Sequence, residues 1–435
     1  MNIYAFILKE EKMKKVKCTK RCLLLFMTLL LGNTAFTAQA KAETVTAAST
    51  GRGQGVTVEN VTLHTYVGDD GQEAESITYL LKDMKELGTI TPEDFKITIG
   101  NDSYKVNDIK IMGNNVKLYV DAFRYLGKTV YNEKMQSTHY DFAVDSTVDA
   151  LDLKKGDSCR VMTRTADDFV KGTFTGSNGI ELPYWLYLPS GSSKVPLMLW
   201  EHGGGEVLAT SLEGANILNN RGAVSWIEDG YQTAVLSFQF PENYSFGISE
   251  KPDQLKKMQE YNEVIHEFIQ DLINKGKVDS KRVYISGASS GGGAVLRFVM
   301  QYPDFFAAAL PICAKDTLIP ISQPYGLAYK FNGSLALNDQ DYQKCYQDIS
   351  GLMKHYNITG VPMWFVQAEN DPVCTSYTSR ILYQVLKDQG AKNNKITMYS
   401  DEEMKQAGQM IYHSSWVPAF QSREIMDWVY SQKKQ

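Results

Sequence analysis

Val283-Tyr-Ile-Ser-Gly-Ala-Ser-Ser-Gly-Gly-Gly293 is the stretch from which the organisation of this chain can be read. An apolar, β-prone run leads into the pentapeptide Gly287-Ala288-Ser289-Ser290-Gly291, and an apolar-periodic segment, Ala294 to Tyr302, follows. The order predicts strand, tight turn and helix, with Ser289 at the apex. A serine held there has a strained backbone and an exposed hydroxyl. The positions two before and two after it must lack a Cβ, because strand and helix crowd together. Gly287 and Gly291 meet that requirement. The helix would also aim its N-terminal amides and the positive end of its dipole at the same point. A glycine-rich turn with no chemistry explains the pentapeptide equally well, so the partners decide.

A serine nucleophile needs a base, an orienter for that base, and donors for an oxyanion. On a strand-turn-helix elbow the chain order is serine, acid, histidine. The histidines are His64, His139, His202, His266, His355 and His413. Only His355 and His413 follow Ser289, and only His413 follows the apolar strand expected at Val361–Val366. That strand runs into Gln367-Ala-Glu-Asn-Asp-Pro-Val373, which places Asp371 in the loop at its carboxyl end. Asp371 is therefore the expected orienter and His413 the base; Glu369, two residues nearer the strand, is the rival acid. Another strand, Val195–Trp200, ends in Glu201-His-Gly-Gly-Gly-Glu206. Glycines there let backbone N–H groups approach an oxyanion. The expected donors are the amides of Ser290 and of Gly203 or Gly204. His202 is expected to order that loop, and Glu206 either to orient it or to reach substrate.

From about Lys171 onward, strands alternate with helical patterns, as in a mostly parallel sheet covered on both faces. Leu255, Met258, Tyr261, Ile265, Phe268, Ile269 and Leu272 mark one such helix, closed by Gly276. Further elements are expected at Thr233–Phe238, Ala307–Ile312, Thr378–Leu386, Ile396–Tyr399 and Ala419–Tyr430. Residues 56–170 differ. Val56–Tyr66, Phe95–Ile99, Ser103–Met112 and Asn115–Val120 are short β-prone runs separated by turn clusters, which predicts a β-sandwich without catalytic residues. Residues 41–55 read as a linker.

The first 40 residues read as a targeting segment. Seven Lys/Arg between Lys9 and Arg21 precede the apolar run Leu23–Leu31, and small residues then end in Ala38-Gln39-Ala40. That is a secretory signal peptide with cleavage expected after Ala40, or failing that after Ala42. The run is about half the ~18 residues a membrane anchor needs, so a secreted protein is expected. Residues 1–42 carry eight basic and two acidic side chains, leaving −5 − 6 = −11 for the rest. That balance, without basic runs, argues against nucleic acid. Cys159, Cys313, Cys345 and Cys374 lack metal-like spacing and read as free thiols, with a Cys313–Cys374 disulfide as the alternative.

From Lys171 to its end the chain resembles α/β-hydrolases of the predicted-peptidase or EstA-like esterase group, kin to polyhydroxybutyrate depolymerases and feruloyl esterases. The matching residues are Glu201–Glu206, Gly287–Gly291, Tyr302-Pro-Asp-Phe-Phe-Ala-Ala-Ala-Leu-Pro-Ile-Cys313, Glu369-Asn-Asp371 and His413-Ser-Ser-Trp416. The resemblance implies an α/β-hydrolase fold over 171–435, an immunoglobulin-like domain over 56–170, and triad roles for Ser289, Asp371 and His413, with Trp416 beside the base. Ser290 stands where many relatives have Met, and Ala314-Lys-Asp316 where many have a glycine-rich stretch. The expectation is a secreted serine esterase without metal or organic cofactor, acting on small-molecule, polysaccharide-linked or polyester-linked esters. A peptidase using the same triad, or a non-catalytic polysaccharide-binding protein, are the alternatives.

Overall fold

The computed structural model describes residues 55–85, 87–131, 134–191, 194–242, 252–315 and 337–435. The expected signal peptide and all but the last residue of the linker lie outside them. The first domain contains β1 (Val58–Gly68), β2 (Gly71–Leu81), β3 (Phe95–Ile99), β4 (Asp102–Met112), β5 (Asn115–Arg124), β6 (Leu126–Tyr131), β7 (Lys134–His139), β8 (Phe142–Ser146) and β9 (Arg160–Thr163). The expected β-prone runs are β1, β3, β4 and β5, and the turn clusters between them close hairpins. Seven strands pair in the order β8-β3-β4-β5-β2-β1-β9, while β6 and β7 form a separate hairpin. Strand β4 divides its pairing. Its start bonds to β3 and its remainder to β5, with a register shift between Val106 and Asp108. Such a shift bends and twists a strand, and side chains from both groups, including Phe95, Ile97, Leu63, Ile77 and Leu118, share one core.

The second domain is organised by an eight-stranded sheet of β10 (Val170–Thr175), β11 (Glu181–Tyr187), β12 (Val195–Glu201), β13 (Ala234–Phe238), β14 (Val278–Ala288), β15 (Ala308–Ile312), β16 (Met363–Ala368) and β17 (Asn394–Tyr399). Its order is β10-β11-β13-β12-β14-β15-β16-β17, antiparallel through β11–β13 and parallel thereafter. Val170 belongs to this sheet, one residue ahead of the expected boundary. Strand β12 is apolar almost throughout because both faces are covered. Leu197 and Leu199 enter one core, Met198 and Trp200 the other.

The helices are α1 (Ala215–Leu218), α2 (Ser225–Glu228), α3 (Pro252–Asn274), α4 (Ser290–Gln301), α5 (Asp339–Met353), α6 (Tyr377–Asp388), α7 (Asp401–Gln406), α8 (Trp416–Gln421) and α9 (Arg423–Ser431). Helices α3, α4 and α6 cover the first face; α8 and α9 cover the second through Phe420, Ile425, Met426 and Val429. The chain leaves β12 toward β13 on one side, then returns to β14 on the other. That reversal opens a crevice at the carboxyl ends of β12 and β14, where such sheets place reactive groups.

Candidate active site

Strand β14 passes into α4 through Ser289, whose φ of 59° and ψ of −119° lie in a sparsely populated region for a residue with a side chain. The turn is forced by neighbours that leave no room. A methyl at Gly291 would sit 2.0 Å from the Glu201 carbonyl oxygen, and one at Gly287 2.6 Å from that of Gly291. Hydrogen bonds then lock the apex. The Ser289 amide donates to the Ile312 carbonyl at 3.1 Å and to Cys313 Sγ at 3.2 Å, while Lys315 N–H donates to the Ser289 carbonyl at 3.0 Å. The end of β15 therefore holds the elbow in place.

Asp371 lies in the loop after β16 with its side chain fully buried, at 0% exposure. Its Oδ1 accepts from the amides of Val373 (2.8 Å) and Cys374 (2.9 Å), and its Oδ2 from Gln367 Nε2 (2.8 Å) and His413 Nδ1 (2.8 Å). Four donors occupy both carboxylate oxygens. With Nδ1–H committed to Asp371, His413 presents Nε2 as its basic nitrogen. The ring is 12% exposed, and Trp416 meets it edge-on at 5.6 Å. Glu369 points elsewhere: it is exposed and pairs with Arg380 at 3.6 Å.

The loop after β12 lies against the start of α4, since a methyl at Gly291 would also come within 2.7 Å of the His202 carbonyl oxygen. Gly203 is near enough for a methyl there to lie 3.6 Å from the Ala288 carbonyl oxygen. The loop after β12 and the start of α4 are thus packed together beside Ser289. His202 is buried; its Nδ1 donates to the Gly203 carbonyl at 2.7 Å and its Nε2 accepts from Phe240 N–H at 3.0 Å. Burial pushes its pKa down, partly opposed by the charge of Glu206, so a neutral ring fits both bonds. Glu206 turns inward and accepts from Asn219 Nδ2.

Gln367 and Cys313 belong to the site as well, and the sequence reading assigned neither to it. Gln367 holds Asp371 while its own Oε1 accepts from Ser379 Oγ at 3.1 Å. Cys313, with φ of 38°, offers Sγ within 4.8 Å of the ligand atoms of Asp371 and His413. It links the elbow to Asp371 and His413. Sulfur, carboxylate and imidazole are metal donors in principle, but this set does not fit one. Burial, reinforced by Asp371, pushes the Cys313 thiol well above its usual pKa, and both Asp371 oxygens are already saturated. None of the four described cysteines forms a disulfide, so the Cys313–Cys374 alternative is not realised.

Residues 221–411 match the prolyl oligopeptidase family, a stretch that contains Ser289 and Asp371 and stops just short of His413. No curated protein compared with the chain matches it. Among solved structures, a thermostable esterase is similar at 23% identity and a TM-score of 0.64, covering 86% of this chain and 100% of its own. That share exceeds residues 171–435, so the likeness of fold continues into the first domain. Est1E from Butyrivibrio proteoclasticus aligns at 15% identity and a TM-score of 0.37, over 60% of this chain and 98% of its own. An acylaminoacyl peptidase from Pyrococcus horikoshii aligns at 12% identity and 0.42, over 85% and 70%. The second domain has the α/β-hydrolase fold, and its match to the prolyl oligopeptidase family supports a serine hydrolase.

Proposed function

We propose that the protein hydrolyses carboxylic esters through Ser289, His413 and Asp371. The observation that carries this reading is the His413 Nδ1–Asp371 bond at 2.8 Å, built beside a serine held at a strained elbow. Asp371 fixes the imidazole tautomer that leaves Nε2 free to take the Ser289 proton. Ser289 Oγ attacks the ester carbonyl, and the amides of Ser290 and of Gly203 or Gly204 receive the oxyanion. His413 returns the proton to the departing alkoxide, leaving an acyl-serine. It then deprotonates water, which releases the acid and restores Ser289.

Peptide hydrolysis by the same triad is the second reading, favoured by the match to the prolyl oligopeptidase family. It differs in the leaving group, since His413 would then give its proton to an amine nitrogen rather than to an alkoxide oxygen. Comparing kcat/KM for an aryl ester and the matching anilide separates the two. An ester preference of about 10³-fold or more, a barrier difference of ~4 kcal/mol, supports the esterase; comparable rates would make it a peptidase. The substrate is proposed to be a small or polymer-linked ester. Secretion after cleavage near Ala40, and an immunoglobulin-like fold for the first domain, belong to the same reading. They rest on the Ala38-Gln39-Ala40 pattern and on the two strand groups sharing a core.

A further inference from the structure

A buried chain of hydrogen bonds runs from the first domain to the oxyanion loop. Ser137, on the β6–β7 hairpin, donates through Oγ to Asn219 Oδ1 at 3.1 Å. Asn219, at the end of α1, donates through Nδ2 to Glu206 Oε1. The other carboxylate oxygen of Glu206 lies against Gly203, so close that a methyl there would come within 2.9 Å of it. All three side chains are buried. The hairpin is also anchored by its backbone, since Leu212 N–H donates to the Ser137 carbonyl at 3.2 Å.

The loop needs this support. Its own turn, Gly204–Glu206, closes through a long bond of 3.4 Å from Glu206 N–H to the Gly203 carbonyl. Three consecutive glycines contribute no side-chain packing, so the loop is held at its two ends by side chains. His202 is fixed at one end by Phe240, and Glu206 at the other by Asn219. A buried carboxylate deprived of its donor turns toward whatever polar group is nearest, and Gly203 is adjacent. Oxyanion donors are exacting: losing one costs about 10²–10³ in kcat, and misplacement by ~1 Å can cost about 10².

We propose that Ser137, Asn219 and Glu206 are positioning residues for the oxyanion hole, so that the first domain sets the catalytic rate without touching substrate. This rests on the esterase reading above. The test uses the full-length chain with Asn219→Leu, which keeps bulk and removes both hydrogen bonds, and Ser137→Ala, which removes one hydroxyl. An aryl boronic acid, which becomes a tetrahedral anion on the nucleophilic serine, serves as the transition-state probe. Asn219→Leu should lower kcat by about 10- to 100-fold with KM within about threefold, and should raise the boronate Ki by a similar factor. Ser137→Ala should do the same by about three- to tenfold, and it decides alone should Asn219→Leu not fold. Unchanged kcat and Ki overturn the proposal. So does a lower kcat with unchanged Ki, because that means fewer active molecules rather than a displaced hole. Absence of both hydrolysis and boronate binding in the unsubstituted protein would instead overturn the esterase reading itself.

Discussion

At Asp371 four hydrogen bonds converge on one carboxylate, so it has no freedom to serve another partner, whereas Glu369 faces solvent and Arg380. Ser289→Ala and His413→Ala should each lower kcat by about 10⁴-fold or more, and the double variant should be little worse. Asp371→Asn should lose roughly 10⁴-fold by favouring the wrong imidazole tautomer, while Glu369→Gln stays within about tenfold. Aryl-ester turnover and fluorophosphonate labelling of Ser289 measure these effects; a crippled Glu369→Gln beside an active Asp371→Asn would falsify the assignment. The chain order of these proposed partners was legible because the fold imposes it. Gln367 and Cys313 were not, since each acts through a tertiary contact and neither residue type carries a motif of its own. His202 gives a second prediction. Burial lowers its pKa and those of His64, His139 and His266, so the unfolded chain binds more protons just below its histidine pKa of about 6.5. Stability contributed by the neutral rings is complete above that pH and is lost as pH falls through the window beneath it. The Tm should drop between pH 7 and pH 5, and the drop should be shallower in His202→Gln. An equal slope in the two proteins would show that His202 does not titrate on unfolding.

Among the elements, those bordering the crevice were the easiest to foresee, because strands buried on both faces are continuous apolar runs and the elbow requires its glycines. Helix α5 was not foreseen. Its buried residues Cys345, Ile349 and Met353 recur at helical spacing, but the stretch between them is largely polar and only this narrow stripe is fully buried. The expected C-terminal helix over 419–430 is two helices, α8 and α9. The chain breaks at Ser422, which leaves the helical region at ψ of 103° and accepts through Oγ from Ile425 N–H at 3.4 Å. A serine inside an apolar-periodic run signals such a break only when its side chain caps the next helix. Helix α5 starts with a cap of the same kind: Asn338 Oδ1 accepts from Asp341 N–H at 2.9 Å. Asn338→Ala should therefore cost about 1 kcal/mol, a fall in Tm of about 2–4 °C for a domain of this size. Thermal unfolding measures it, and aryl-ester turnover should not change, because α5 supplies no group to the site. A Tm equal to that of the parent would mean the cap is not stabilising in solution.

On the scale of the molecule, the two domains are joined by more than the chain between them. Val67 of β1 is buried in the second domain's core cluster with Trp185, Trp200 and Phe420. Asp69 accepts from Gln421 Nε2 at 3.3 Å, and Gly71 lies beside the Asn219 carbonyl. Nothing in the sequence disclosed this junction, since the residues that form it are distant in the chain and individually unremarkable. The composition shift near residue 170 marked where one domain ends, not what it touches. A chain beginning at Phe169 would keep all eight strands of the second sheet together with Ser289, Asp371 and His413, but would uncover this surface and free Asn219 from Ser137. It should still label at Ser289 with a fluorophosphonate. Its kcat should fall at least as far as in Ser137→Ala, by about threefold or more, and its Tm should fall as the apolar surface around Trp185 and Phe420 meets water. Adding Ser137→Ala to the full-length protein and comparing it with the shortened chain divides the loss between one hydrogen bond and the remaining interface. Full turnover by a folded shortened chain would show that the second domain holds its oxyanion loop unaided.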